Sequence, residues 1–366
     1  MASREVFDRL PPFGPLSIES IEGYLITSKR RFPSDFKKTE VPFVPIDDFR
    51  CEYTLGKGAF SIVEVIKRKD VDEWYAVKVC QKEFISSMKV VICAINEKRL
   101  LQSIDCPFAM RIDYFSQDPY NIYYLMPFMA GGELFTHLRN RKFFDDDLTR
   151  FYASQMVLAL EYLHCVCVVH RDIKPENILV DHHGFLKLAD FGFSKIVEIR
   201  TYTFCGTPPY IAPEVIQGQG YGRSVDWWSL GVLIFEMAAG SPPWVSRNNV
   251  KLFVKIMYGQ LKFPLNFSSS LQDLLRKLLQ RDVTRRFGNT WLGATAVKEH
   301  TWFKKVNWLK MLNRTTKPPF VPPNSGDGDV SNFPDAAKSS VSKMAKAHPP
   351  TNGIDASTFA DEFEDF

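Results

Sequence analysis

"HRDIKPENILV", residues 170–180, sets a carboxylate (Asp172), an ammonium (Lys174) and a carboxamide (Asn177) within six residues, and an apolar run follows. This spacing is far more specific than a pair of glycines between strands. Two further segments in order set it apart: "ADFG" (189–192), which brings Asp190, and "APE" (212–214). Asp172 suits a group that accepts a hydrogen bond from an attacking hydroxyl. Lys174 suits a cation that steadies developing negative charge. Asn177 and Asp190 offer oxygens to a hard metal ion.

Upstream lies "YTLGKGAFSIVEVI" (53–66), with Gly56, Gly58, and Ser61 where a third glycine would complete G-x-G-x-x-G. By itself it is either a turn between strands or a loop that cradles phosphates. A dinucleotide-binding domain is excluded, because the third glycine is missing and no helix follows the loop directly. Lys78 in "YAVKV" comes about twenty residues later on a predicted strand, and Glu97 sits on a predicted helix as its ion-pair partner.

The bulk properties are those of an ordinary soluble protein. The chain has 366 residues, 45% hydrophobic and 24% charged, with a net charge of +4, enough for two lobes and too weakly basic to argue for nucleic acid. Seven scattered cysteines lack metal-ligand spacing and read as reduced thiols of a cytoplasmic or nuclear protein. The N-terminus has no signal-peptide core, and Ala2 stands where a myristoyl acceptor glycine would be needed, so no membrane anchor is expected. "WWSLGVLIFEMAAG" (227–240) is too short to span a bilayer and reads as a buried helix.

"ESIEGYLITSKRRF" predicts an amphipathic helix that Pro33 ends. Residues 50–85 predict strands, 88–104 a helix, and "MRIDYFSQ" and "NIYYLMPF" two more strands. From "DDDLTRFYASQMVLALEYLHCV" onward helices dominate. After Phe303, "KPPFVPPNSGDGDVSNF" predicts an extended tail.

Together, "NEKRLLQ", "AGGELF", "HRDIKPENIL", "DFGFSK", "FCGTPPYIAPE", "VDWWSLGVLIFEM" and "GDGDVSNF" resemble the eukaryotic protein kinases of the AGC group. Within that group the chain is similar to cAMP-dependent protein kinase catalytic subunits and their X-linked relative. The likeness is close over about residues 44–333 and loose over the first forty. It implies an α+β, bilobal protein kinase fold. The N-lobe would span 50–128 and the C-lobe 129–303, after an extension at 1–49 and before an AGC-type tail at 304–366 ending in "FEDF". It also implies ATP and Mg2+.

The resemblance assigns roles. Leu55, Gly56, Lys57, Gly58, Ala59, Phe60 and Ser61 would form the loop over the phosphates, with Lys78 reaching them under the hold of Glu97. Val63, Ala76, Met126, Leu179 and Phe333 would wall the adenine pocket, with Met129 bonding the base and Glu133 the ribose. Pro127 in the hinge keeps its carbonyl and stiffens the segment. Asp172, Lys174 and Asn177 would be catalytic, with Asn177 and Asp190 on the metal. Glu214 would pair with Arg286. Leu101, Ile112, His170 and Phe191 would stack across the lobes, and Asp226 would hold the backbone at His170.

Lys174 with Thr207 matches the serine/threonine pattern. Glu133, Glu176 and Glu236 would grip arginines two and three residues before the target, and Phe204, Pro208 and Ile211 would receive the residue after it. Pro209 and "FPDAAKSS" remove acids that the resemblance would place there. Ser241 and Val245 replace aromatics that would receive an inhibitor helix. Thr203 occupies the activating phosphosite, with Arg171 and Lys195 as partners and Cys93 in place of a helix histidine. The expected partners are protein substrates with basic motifs and a cAMP-binding regulatory subunit, without nucleic acid. The alternative is an ATP-binding pseudokinase scaffold.

Overall fold

The computed structural model describes residues 11–37, 42–57, 61–333 and 363. Helix α1 (Ile21–Lys37) comes first. It runs through Pro33, against the expectation that proline would end it. Packing outweighs the lost donor: Phe32 and Phe36 stack at 6.0 Å. Beyond the proline, Gln102 Nε2 donates to Asp35 O at 3.1 Å and ties the last turn to the body.

The N-lobe is a five-stranded antiparallel sheet in the order β1-β2-β3-β5-β4. Its strands are β1 (Phe49–Lys57), β2 (Ser61–Arg68), β3 (Trp74–Gln81), β4 (Tyr114–Gln117) and β5 (Asn121–Pro127). The helix predicted over 88–104 is α3 (Val91–Ser103), and a short helix α2 (Lys82–Ser87) precedes it where the end of the strand region was expected. Lys89, at φ 55°, breaks the chain between them. The strand predicted from Met110 starts only at Tyr114. Met110 N donates instead to Leu188 O (2.7 Å) and Ile112 N to Leu101 O (3.2 Å), which joins this segment to α3 and the C-lobe.

The C-lobe is helical. After α4 (Leu134–Arg141), α5 (Asp146–Cys165) starts where the Asp145 side chain accepts from Leu148 N, with two more acids in the first turn. Short strands β6 (Val168–Val169), β7 (Ile178–Val180), β8 (Leu186–Leu188) and β9 (Lys195–Ile196) flank the segments that bear Asp172, Asn177 and Asp190. Helices α6 (Pro213–Ile216), α7 (Ser224–Ala239), α8 (Asn249–Tyr258) and α9 (Ser269–Leu278) follow. As its apolarity predicts, α7 is buried along nearly its whole length. It ends at Gly240, whose φ of 82° is costly for any residue with a Cβ. Among the described residues, no helix is long and apolar enough to cross a membrane.

Candidate active site

Strand register sets the N-lobe side of the cleft. Val63 lies opposite Lys78, and Ala76 opposite Met126. Lys78 therefore emerges beside the apolar wall and toward α3, where its Nζ meets Glu97 Oε1 at 2.6 Å. Asp190 Oδ1 is 3.8 Å from the same nitrogen. Burial works against the Lys78 ammonium, but the Glu97 carboxylate outweighs it and the pKa lies above the ordinary lysine value. Leu55 and Ala76 pack, partly buried, against the cluster of Val65, Phe128 and Phe333. Gly56 pairs with Val63, and nothing lies within 4 Å of where its Cβ would be. Lys57 ends β1 and Ser61 begins β2. Gly58, Ala59 and Phe60 fall outside the described residues.

The tail reaches the hinge. Phe333 stacks on Phe128 at 5.8 Å, and Asn332 Nδ2 donates to Ala130 O at 3.0 Å. Gly132, at φ 76°, allows this approach, since a Cβ there would lie 2.6 Å from Asn332 O. Met129 is buried, while Met126, Glu133 and Leu179 are half-buried, with Glu133 bridged to Leu179. "FPDAAKSS" beyond Phe333 lies outside the described residues. Of "FEDF" only Phe363 is described. It is buried, with Lys82 Nζ 5.3 Å over its ring.

The catalytic loop is gripped from below. Asp226 is fully buried at the start of α7 and accepts from His170 N (3.0 Å), Arg171 N (2.9 Å) and His164 Nε2 (2.9 Å). Burial alone would raise this carboxyl, but His164 and the other partners hold it below the usual range. Arg171 at φ 71° and Asp190 at φ 58° lie in the left-handed region, the kind of strain that clusters at active sites. His170 Nε2 donates to Ala189 O at 3.1 Å and its ring meets Phe191 edge-on at 5.0 Å. Leu101 and Ile112 are buried in the same core.

Asp172 is 3% exposed. Its Oδ1 accepts from Thr207 Oγ1 (2.7 Å) and Thr207 N (3.0 Å), and its Oδ2 from Asn177 Nδ2 (2.9 Å). Lys174 Nζ lies 2.9 Å from both Asp172 Oδ2 and Thr207 Oγ1. Burial raises this carboxyl, yet Lys174 and Thr207 pull it below the ordinary value, so Asp172 stays ionised. Asn177 Nδ2 also donates to Asp172 O at 2.9 Å. Its amide oxygen is then the atom left for a cation, and the Asp190 carboxylate is 49% exposed. Two hard oxygen donors, with phosphates to supply the rest, fit Mg2+.

The activation segment is open. Tyr202, Thr203 and Phe204 are exposed, Thr207 and Pro208 half-buried, and Ile211 buried. Tyr221 donates its hydroxyl to Thr203 O and accepts from Arg171 Nη1 at 3.4 Å. Lys195 Nζ donates to Thr201 Oγ1 at 3.4 Å. Cys93 is exposed at the start of α3. Below the segment, Arg286 forks onto Glu214 at 2.6 and 2.8 Å, as expected.

Three partners carried no sequence signal. Glu176 is exposed, but Glu236 is 1% exposed and already bonded to Arg139 Nη2 (2.9 Å) and to the Tyr210 hydroxyl. Burial raises the Glu236 carboxyl despite both partners. Arg139 and Tyr210 are two of the unforeseen partners, and His164 on Asp226 is the third.

The protein kinase domain model matches residues 49–303. The human "cAMP-dependent protein kinase catalytic subunit PRKX" is 45% identical over 294 residues, 80% of this chain and 82% of that protein. The yeast (Saccharomyces cerevisiae) "cAMP-dependent protein kinase type 3" is 44% identical, over 79% of this chain and 73% of its own length. A Dictyostelium discoideum "cAMP-dependent protein kinase catalytic subunit" is 41% identical over 88% of this chain but only 49% of that protein. With a domain match over most of its length and relatives at this identity, the chain belongs to the protein kinase family, as a serine/threonine kinase.

Proposed function

We propose that the chain transfers the ATP γ-phosphoryl group to serine or threonine in arginine-containing motifs. The observation that carries this reading is the Asp172–Lys174–Thr207–Asn177 cluster, with an ionised Asp172 at its centre. Asp172 accepts the hydrogen bond of the attacking hydroxyl and orients it. Lys174 offsets charge on the moving phosphoryl group. Lys78, held by Glu97, neutralises oxygens of the phosphates that stay behind. Mg2+, when bound by Asn177 and Asp190, supplies charge neutralisation across the phosphates.

Leu55, Val63, Ala76, Met126, Leu179 and Phe333 wall the adenine site. Gly56 near the end of β1 and Ser61 at the start of β2 flank the phosphate loop, and Ser61 keeps its backbone N–H there; Lys57, Gly58, Ala59 and Phe60 are assigned to that loop by the family resemblance alone. Glu133 and Glu176 read the arginines before the target. Glu236 contributes only where a substrate guanidinium displaces Arg139 from it. A cAMP-binding regulatory chain is the partner suggested by the relatives' names. Thr203 is the activating phosphosite.

The test is γ-phosphate transfer to an Arg-Arg-x-Ser peptide by the purified chain, expected to proceed with Mg–ATP. A peptide array should show selection at two and three positions before the target. Strong selection for arginine six positions upstream would contradict the loss of acid at Pro209.

A further inference from the structure

The turn that joins β7 to β8 holds two histidines in succession, His182 and His183. Their ring centres lie 3.9 Å apart. His183 is exposed, and His182 is half-buried where Phe13 meets its ring edge-on at 5.2 Å. Three parts of the chain converge on this turn. Arg314 pairs with the buried Asp181 and donates from Nη1 to Pro12 O at 3.0 Å. Asn313 beside it accepts from Leu16 N through its carbonyl (3.0 Å) and from Ile18 N through its side chain (2.6 Å). The tail packs there too, because Gly184, at φ 91°, leaves no room for a Cβ against Phe320 O. The opposite end of the hairpin bears Asn177 and Asp190. The N-terminal segment is thus fastened to the element that carries both proposed metal residues.

Within the turn His182 faces His183 and Asp181, and from other elements Asp327 of the tail and Arg314. Residues 11–18 bring no charged side chain. Tyr152 of α5 and Lys187 of β8, both buried, act on Asp181 from the core. Burial, to which Phe13 contributes, works hardest against a charged His182 ring, and His183 and Arg314 add to it. Asp181 and Asp327 oppose them and lose, so His182 lies below the ordinary histidine pKa of about 6.5.

We infer that the histidine pair is an acid-released clasp: neutral rings hold residues 11–16 against the β7–β8 turn, and protonation frees them. Two imidazolium rings this close, beside the Arg314 guanidinium, repel one another, and a charged ring under Phe13 loses hydration. With the segment released, His182 returns to about 6.5, so the docked state binds fewer protons than the free one. Docking is therefore fully present above about pH 6.5 and weakens as pH falls through the docked pKa.

Hydrogen–deuterium exchange of the full chain, corrected for intrinsic exchange, reads the clasp at the Leu16 and Ile18 amides. From pH 7.5 to 5.5 their protection should fall about threefold or more, with amides in the middle of α5 unchanged. His182→Gln/His183→Gln keeps polar side chains that do not titrate, and should abolish that fall. No fall in the parent, or the same fall in the variant, overturns the clasp. A second measurement leaves the turn intact. The His182 ring is titrated by NMR in the parent and in Phe13→Ala, its signal assigned by its loss in His182→Gln. Removing Phe13 should raise the midpoint toward about 6.5, since docking and protonation oppose each other reciprocally. Equal midpoints overturn the clasp, whatever the glutamine variant shows.

Discussion

The catalytic loop and the activation segment meet at Thr207, yet they are held in different ways. The loop around Asp172 is buried and clamped through its backbone by Asp226. The segment around Thr203 exposes Ile199, Tyr202 and Phe204 and is tied by hydroxyls at its margins. A buried carboxylate that accepts three bonds fixes one geometry, because any other arrangement strands its charge. An exposed threonine has no such constraint and is open to modification. On the proposed reading, chemistry sits where the fold leaves no choice, and regulation where it does.

The largest expected effect tests the rigid half. Asp172→Ala should lower turnover about 10²–10⁴-fold with nucleotide affinity nearly intact, as expected for a positioned base. Asp190→Ala should weaken Mg–ATP binding itself, read by nucleotide titration with and without Mg2+. Retention of more than about a tenth of turnover by Asp172→Ala would remove its assigned role.

Next comes the clamp. Asp226→Asn should cost about 3–5 kcal/mol in denaturant unfolding, because two amides and His164 lose a charged acceptor. The folded carboxyl lies below its unfolded value of about 3.9. Its contribution is therefore fully present above about pH 4 and lost as pH falls through the folded pKa. The parent's unfolding curve should show that acid loss, and the variant's should lack this component.

These two halves differed in how far the sequence exposed them. Asp172, Lys174 and Asn177 were legible because their spacing lies within one short loop. Lys78 with Glu97 was legible because a strand lysine beside an apolar wall needs a nearby acid. Arg139 on Glu236 and His164 on Asp226 were not, since they join residues 97 and 62 positions apart without any local pattern. The run through Pro33 was missed because tertiary contacts of Phe36 and Asp35 override a local breaker. Helix α2 was missed because its six residues follow β3 directly, too short a run for a helical period to show.

The docked chain end gives a middle-sized effect. Phe363 is 2% exposed and packs with the N-lobe core beside Lys82. Fully burying such a ring contributes roughly 1.5–3 kcal/mol. Phe363→Ala should lower thermal stability and activity together, and an unchanged melting temperature would mean that the ring does not hold the lobe.

The smallest effect probes the open half at Thr203. A phosphate there adds about −1.5 to −2 charges and needs cations to order the segment. Arg171 already approaches through Tyr221, whose hydroxyl bonds Thr203 O, and Lys195 bonds Thr201. Thr203→Ala should therefore lower activity severalfold. Cys93 begins the helix that carries Glu97, and a thiol is a poor donor to phosphate. Cys93→His would add a cation that links phosphate to the helix and so to the Lys78–Glu97 pair. Because Cys93 is exposed, solvent screens that link, and the gain should stay below about 1 kcal/mol, a few-fold in rate. The gain should appear in Thr203-phosphorylated protein and shrink in the unphosphorylated form, in high salt, and above the histidine pKa. Thermal melts and initial rates of both forms, with each residue at position 93, complete the cycle. Equal effects in the two forms would make Cys93 a packing residue and leave the segment's order to Arg171 and Lys195 alone.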